Sequence, residues 1–133
     1  MAVLEINGVN VAYGNLQVLW DINLKIEEGK IVALLGANGA GKTTLLNTIT
    51  GMLKPISGEV IFSGMRIDKL PSDKIIEMGI SYLPEGGSLF PDMTIKENLE
   101  MGAYHRRFWS GRNSELSRIY ELFPILDFQE VRV

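Results

Sequence analysis

Cysteine is absent from the 133 residues, which excludes disulfides and thiolate metal sites alike. Also missing is any apolar run near the roughly 20 residues that a membrane-spanning helix needs. A basic excess is lacking: the net charge is −3, and no basic stripe is available to neutralise a nucleic-acid backbone. The opening stretch, MAVLEINGVN, carries an acid at Glu5 and no basic segment, so no signal peptide is expected. Internal repeats and low-complexity tracts are not found. What remains is an ordinary globular mix, 46% hydrophobic and 22% charged, long enough for one domain with a real core.

Against that plain background one stretch is unusual. LLGANGAGKTTLLNTITG sets three glycines beside a lysine and two threonines. It fits the spacing G-x-x-x-x-G-K-[ST], which a phosphate explains. Glycines at Gly36, Gly39 and Gly41 admit backbone angles closed to other residues and leave room for a ligand. With Ala37, Asn38 and Ala40 between them, their amides can converge on an anion at the positive end of a helix. Lys42 would reach terminal phosphates, and the Thr43 hydroxyl, with Thr44 beside it, would ligate Mg²⁺.

The flanks suit that reading. KIVALLG (30–36) is an apolar, β-rich run suited to a strand covered on both faces. After the loop, Leu45, Leu46, Ile49, Met52 and Leu53 recur at helical spacing until Pro55. Upstream, VLEINGVNVAYG alternates with Asn7-Gly8 as a turn. VLWDINLKI sets Leu19, Asp21, Asn23 and Lys25 against Trp20, Ile22, Leu24 and Ile26. Glu28-Gly29 then turns the chain. SGEVIFSG (57–64) reads as a strand between glycine turns, and Pro71 begins a helix through Ile75, Ile76 and Met78 that Gly79 ends. ISYLP (80–84) reads as a buried strand. Thr94 is expected to N-cap a helix past Leu99 and Met101, with Glu97 completing a capping box. A last helix is expected over 114–123, before Pro124. These elements predict an α/β core with a β-rich flap in front.

The order of motifs resembles the first part of an ABC-transporter ATP-binding subunit, with the branched-chain amino acid importer ATPases as the nearest subgroup. GANGAGKTT, GISYLPEGGSLFPDMTIKENLEMGAY and the Pro-Glu at 84 and 85 carry the likeness, over residues 3 to about 125. The resemblance implies a P-loop NTPase core, incomplete in this chain, with an amino-terminal antiparallel β subdomain. Residues 1–133 would then form the amino-terminal portion of one ATP-binding domain. Its phosphate loop would be 36–44, its Q-loop region 80–93, and its helical subdomain would start over about 94–125.

The same resemblance implies ATP or ADP with Mg²⁺ as ligands. Tyr13 matches the aromatic that stacks on adenine, Val18 a flanking apolar contact, and Glu85 the Q-loop residue near the metal and the attacking water. Residues 89–104, with Leu89, Phe90 and Met93, match the surface that meets the membrane subunit. Implied partners are transmembrane permease subunits and a second ATP-binding subunit, at the cytoplasmic face of the plasma membrane. His105, beside Arg106 and Arg107, is expected at the surface, because by the resemblance the family's switch histidine falls beyond the last residue of this sequence.

Nothing in the sequence resembles the family's signature loop, or the apolar strand ending in Asp-Glu that supplies its second carboxylates. Hydrolysis needs both. The chain is therefore expected to be a natural or engineered fragment, or to rearrange. Two functions compete: the ATP-binding part of an importer ATPase, or a fragment that binds nucleotide or a partner without turnover, as a swapped oligomer. A small kinase is a weaker third, because no acceptor lid or basic catalytic cluster is found.

Overall fold

Strands β1 (Ala2–Tyr13) and β2 (Leu16–Glu27) pair as a long antiparallel hairpin, with Tyr13 opposite Leu16. The two residues between them turn the chain, and Gly14 supplies the required positive φ of 58°. The computed structural model describes residues 1–87, 89–105 and 109–127.

The expected turn at Asn7-Gly8 does not form. β1 runs straight through it and absorbs the extra residue as a bulge between Ile6 and Val9. Gly8 takes φ 58° there, and its amide donates to Asn23 Oδ1 at 2.8 Å. A second bulge lies across the hairpin. Val9 pairs with Ile22 and Val11 with Leu19, so Trp20 and Asp21 together oppose Asn10. Side chains alternate with a period of two, so one extra residue inverts the faces. Leu19 consequently enters the core, with Ile22, Leu24 and Ile26 packed against it, and Trp20 is turned to solvent. The expected grouping of Leu19 with Asp21 and of Trp20 with the apolar set is wrong for that reason.

Asn10 stitches this distortion together. Its amide donates to Gly8 O (3.0 Å) and Ser57 Oγ (2.9 Å), while its Oδ1 accepts from Gln17 Nε2 and the Asp21 amide, each at 3.0 Å. The polar groups freed by the bulges are thereby satisfied, which a buried or half-buried backbone requires.

On the other side of β1 lies β3 (Ser57–Phe62), followed by β4 (Met65–Arg66), giving the antiparallel order β2-β1-β3-β4. Ile6, Val9, Val11 and Val60 of this sheet share one core with Leu45 and Ile49 of α1 (Lys42–Ile49), with Ile67, and with Ile75 of α2 (Ser72–Glu77). Full burial of each such side chain contributes about 1.5–3 kcal/mol. Pro71 precedes α2 and Gly79, at φ 103°, follows it, as the sequence predicts.

Two expected strands are absent among the described residues. Neither 30–36 nor 80–84 joins the sheet; Leu35 is 88% exposed and Leu83 84%, and Ile31 is fully open. A parallel strand is held by neighbours on both edges, and no described strand pairs with either segment.

The chain divides into two units, Met1–Tyr82 and Leu83–Val133. In the second, α3 (Ile95–Met101) carries the expected capping box: Thr94 Oγ1 accepts from the Glu97 amide (3.2 Å), and the Thr94 amide donates to Glu97 Oε2 (2.7 Å). Asn98 clamps the preceding turn by accepting from the Phe90 amide (2.7 Å) and donating to Phe90 O (3.0 Å). Helix α4 (Arg112–Leu122) starts two residues before its expected beginning and ends ahead of a 3-10 turn, Pro124–Asp127.

Candidate functional site

The glycine-rich loop ends in a helix whose N-terminus is left open. Gly41 stands at the N-cap of α1 with φ 90°, and no side chain caps the first turn. The first bond of the helix runs from the Leu45 amide to Gly41 O at 2.9 Å. Amides ahead of Leu45 in α1 therefore lack intrahelical acceptors, and the positive end of the helix dipole faces the loop. Gly39, at φ 82°, and the bond from the Ala40 amide to Ala37 O (3.1 Å) curl the loop back on itself.

Lys42 closes the ring. Its ammonium donates to Gly36 O at 2.7 Å and to Ala37 O at 2.8 Å. An ammonium has three donors, so one stays available. The Thr43 side chain is exposed and makes no hydrogen bond to the described residues, whereas Thr44 is buried and its carbonyl accepts from Thr48 Oγ1 at 2.8 Å. Asn38 is exposed at the loop crest. The structure thus brings free amides, one lysine donor and one free hydroxyl to the same helix end. That set suits an oxyanion with a hard cation beside it.

The β1–β2 hairpin approaches this loop. Tyr13, half exposed, stands at the hairpin tip. Val18 is the extra residue of a bulge, since Val11 pairs with Leu19 and Ala12 with Gln17. A Cβ built on Gly41 would lie 3.6 Å from Val18 Cγ1 and only 2.5 Å from Leu19 Cδ2. The contact between Leu19 and Gly41 was not legible in the residue pattern, because it depends on the bulge that turns Leu19 inward.

Glu85 lies in the second unit. It is exposed in a turn followed by Gly86 (φ 87°) and Gly87 (φ 72°). Leu89 and Phe90 are exposed, and Met93 is half-buried. His105 is half-buried, and its carbonyl accepts from the Trp109 amide at 3.1 Å. Ser88, Arg106 and Arg107 lie outside the described residues.

One charged group that sequence reading did not single out is Asp68, buried beside Arg66. Burial pushes its carboxyl up. Hydrogen bonds from Arg66 (2.8 Å) and the Val60 amide (3.2 Å), with the Arg66 charge, outweigh that and hold it below its usual value. Arg66 also donates to Gly58 O (3.1 Å), so this pair ties β4 to β3 and serves the fold.

Comparison with known proteins identifies the family. The family profile described as ABC transporter matches residues 19–133. The chain is 37% identical over 127 residues to the high-affinity branched-chain amino acid transport ATP-binding protein BraG of Pseudomonas aeruginosa, covering 93% of this chain and 53% of that protein. It is 36% identical over 114 residues to LivG of Escherichia coli, which bears the same description, covering 86% and 44%. The chain therefore spans about half the length of these relatives. In three dimensions it resembles a nucleotide-free ATP-binding cassette from an ABC transporter, with a TM-score of 0.71 and 29% identity over 77% of this chain and 40% of that one. An ATP-binding subunit of an ABC transporter superposes with a TM-score of 0.67 and 32% identity, over 76% and 41%. With a profile match over most of its length and relatives more than a third identical over most of it, this chain belongs to the ABC transporter family.

Proposed function

We propose that this chain is the nucleotide-binding part of an importer ATPase that, when complete, couples ATP hydrolysis to uptake of amino acids, branched-chain ones by likeness to its relatives. Family membership implies nucleotide binding. The observation that carries the residue assignment is the uncapped end of α1, with Lys42 folded into the mouth of the loop. In this reading the amides of 39–44 and the Lys42 ammonium hold the terminal phosphates of ATP or ADP, and Gly36, Ala37, Asn38 and Ala40 shape the loop around them. Tyr13 offers its face to adenine, and Val18 packs beside the base. The Thr43 hydroxyl would hold Mg²⁺, which neutralises phosphate charge when bound; Glu85 is proposed as a further ligand only by its match to the family's Q-loop position. Permease subunits would meet residues 89–104, and a second ATP-binding subunit would complete the site, with the assembly peripheral on the cytoplasmic face of the plasma membrane. Among the described residues no helix is long and apolar enough to cross a membrane.

A calorimetric titration with Mg-ATP tests the assignment. Lys42→Ala should weaken binding by tenfold or more, since a charge-assisted hydrogen bond contributes about 1.5–3 kcal/mol. Unchanged affinity would reject the loop as the phosphate site.

A second reading, a nucleotide- or partner-binding chain without turnover, as a swapped oligomer, is favoured by the open apolar side chains of Ile31, Leu35 and Leu83. Phosphate release by the purified chain is expected to be nil under either reading, because neither the signature loop nor the Asp-Glu strand end that hydrolysis needs is found in the sequence. Sustained turnover abolished by Lys42→Ala would overturn the second reading, and a swapped dimer in light scattering without nucleotide would favour it.

A further inference from the structure

We infer that Leu19 is a positioning residue for the phosphate loop: pressed against Gly41, it locks the open end of α1 to the hairpin that carries Tyr13 and Val18, so that both halves bind a nucleotide as one body. The inference rests on the nucleotide reading given above and adds a residue to it.

Three observations on the first unit support this. Leu19 is buried and belongs to the core shared by the sheet and α1. Its Cδ2 occupies the space a Cβ on Gly41 would need, 2.5 Å from it, so the strand and the loop backbone touch with nothing between them. Gly41 is also the N-cap of α1 at φ 90°, the residue that sets the direction of the amides following it. Leu19 is held firmly in turn. It is flanked by the bulged residue Val18 and by the Trp20-Asp21 bulge, and its carbonyl accepts from Gln17 Nε2 at 3.0 Å. Gln17 donates as well to Asn10, which anchors the Asp21 amide. The chain of contacts Asn10–Gln17–Leu19–Gly41 therefore runs from the hairpin to the helix end.

The physical consequence concerns linkage between two weak contacts. A base on the hairpin and phosphates on the loop bind more tightly together than apart only if the span between the two subsites is fixed. Packed cores hold such spacings because side chains interdigitate at near-crystalline density. A one-atom gap at Leu19 frees the loop to shift relative to the hairpin. The loop's own bonds, from Lys42 to Gly36 and Ala37, do not involve Leu19 and stay intact.

The test uses the full 133-residue chain, titrated calorimetrically with Mg-ATP and separately with Mg-tripolyphosphate, which engages the loop alone. Leu19→Ala should weaken Mg-ATP by about tenfold while changing tripolyphosphate by less than about twofold. The affinity ratio of the two ligands therefore collapses. A merely structural role would lower both affinities by one common factor as the folded fraction falls, and thermal denaturation reports that fraction. Should Leu19→Ala fail to fold, Leu19→Val withdraws the atom at Gly41 at smaller cost to the core, and the ratio should fall about threefold. Equal losses for both ligands, or none for either in a folded variant, would overturn the inference. If the wild-type chain bound neither ligand, the nucleotide reading itself would fail and take this inference with it, an outcome distinct from a variant whose ratio holds.

Discussion

The Lys42 ammonium reaches back to the Gly36 carbonyl, six residues earlier, at 2.7 Å. The loop thereby closes into a ring, with its amides and hydroxyl gathered at the head of α1. Few of these interactions hold the rest of the fold. Lys42→Ala should therefore cost about 1 kcal/mol of stability or less, as for most partly exposed polar side chains. A melting curve within a few degrees of wild type, beside a large loss of Mg-ATP affinity, separates a binding defect from unfolding.

Gly41 has the opposite character. Its φ of 90° penalises any side chain, and a Cβ would strike Leu19. Gly41→Ala should destabilise the first unit by about 2 kcal/mol or more through backbone strain and overpacking. Urea denaturation measures it. A Gly39→Ala variant makes the control, because a Cβ there meets open space and only the φ of 82° opposes it.

Asp68 sets a pH dependence. Its folded pKa is lowered, so its stabilising contribution is full above the unfolded value of about 3.9 and is lost as pH falls through the folded one. Stability should be flat in this respect from about pH 5 to about pH 8 and should fall below about pH 4. Asp68→Asn should flatten that fall and cost about 1–3 kcal/mol at neutral pH, because Arg66 and the Val60 amide lose a charged acceptor. Denaturation midpoints across the pH range check both statements.

In the second unit, Thr94→Ala removes the side chain that accepts from the Glu97 amide and leaves the carboxylate of Glu97 with one partner fewer. The expected loss is about 1 kcal/mol, confined to α3. Hydrogen exchange of the α3 amides should accelerate while those of β1 and β3 stay unchanged.

What could be read from the residues was whatever depends on near neighbours. The glycine angles of the loop ahead of α1, the Thr94–Glu97 box and the helix between Pro71 and Gly79 are local, each specified within a few positions by backbone angle or capping chemistry. The missed features are set by partners far along the chain. Asn7-Gly8 has turn chemistry, yet β3 and β2 on either side hold β1 straight through it. Leu19 looked like the polar face of a regular strand until the Asp21 bulge inverted the alternation. Nothing in the local pattern marks Asn10, and its role follows from two bulges meeting beside it. The runs at 30–36 and 80–84 are apolar enough for buried strands, but a strand also needs partners, and composition does not supply them.

The central claim is that the ring of residues 36–44 holds polyphosphate, and amide chemical shifts during a Mg-ATP titration test it most directly. The account predicts the largest shifts at Gly39, Gly41, Lys42, Thr43 and Thr44, saturating together with smaller shifts in the Tyr13 ring. Saturable binding with those loop amides unmoved, and the shifts gathered elsewhere on the chain, would contradict it.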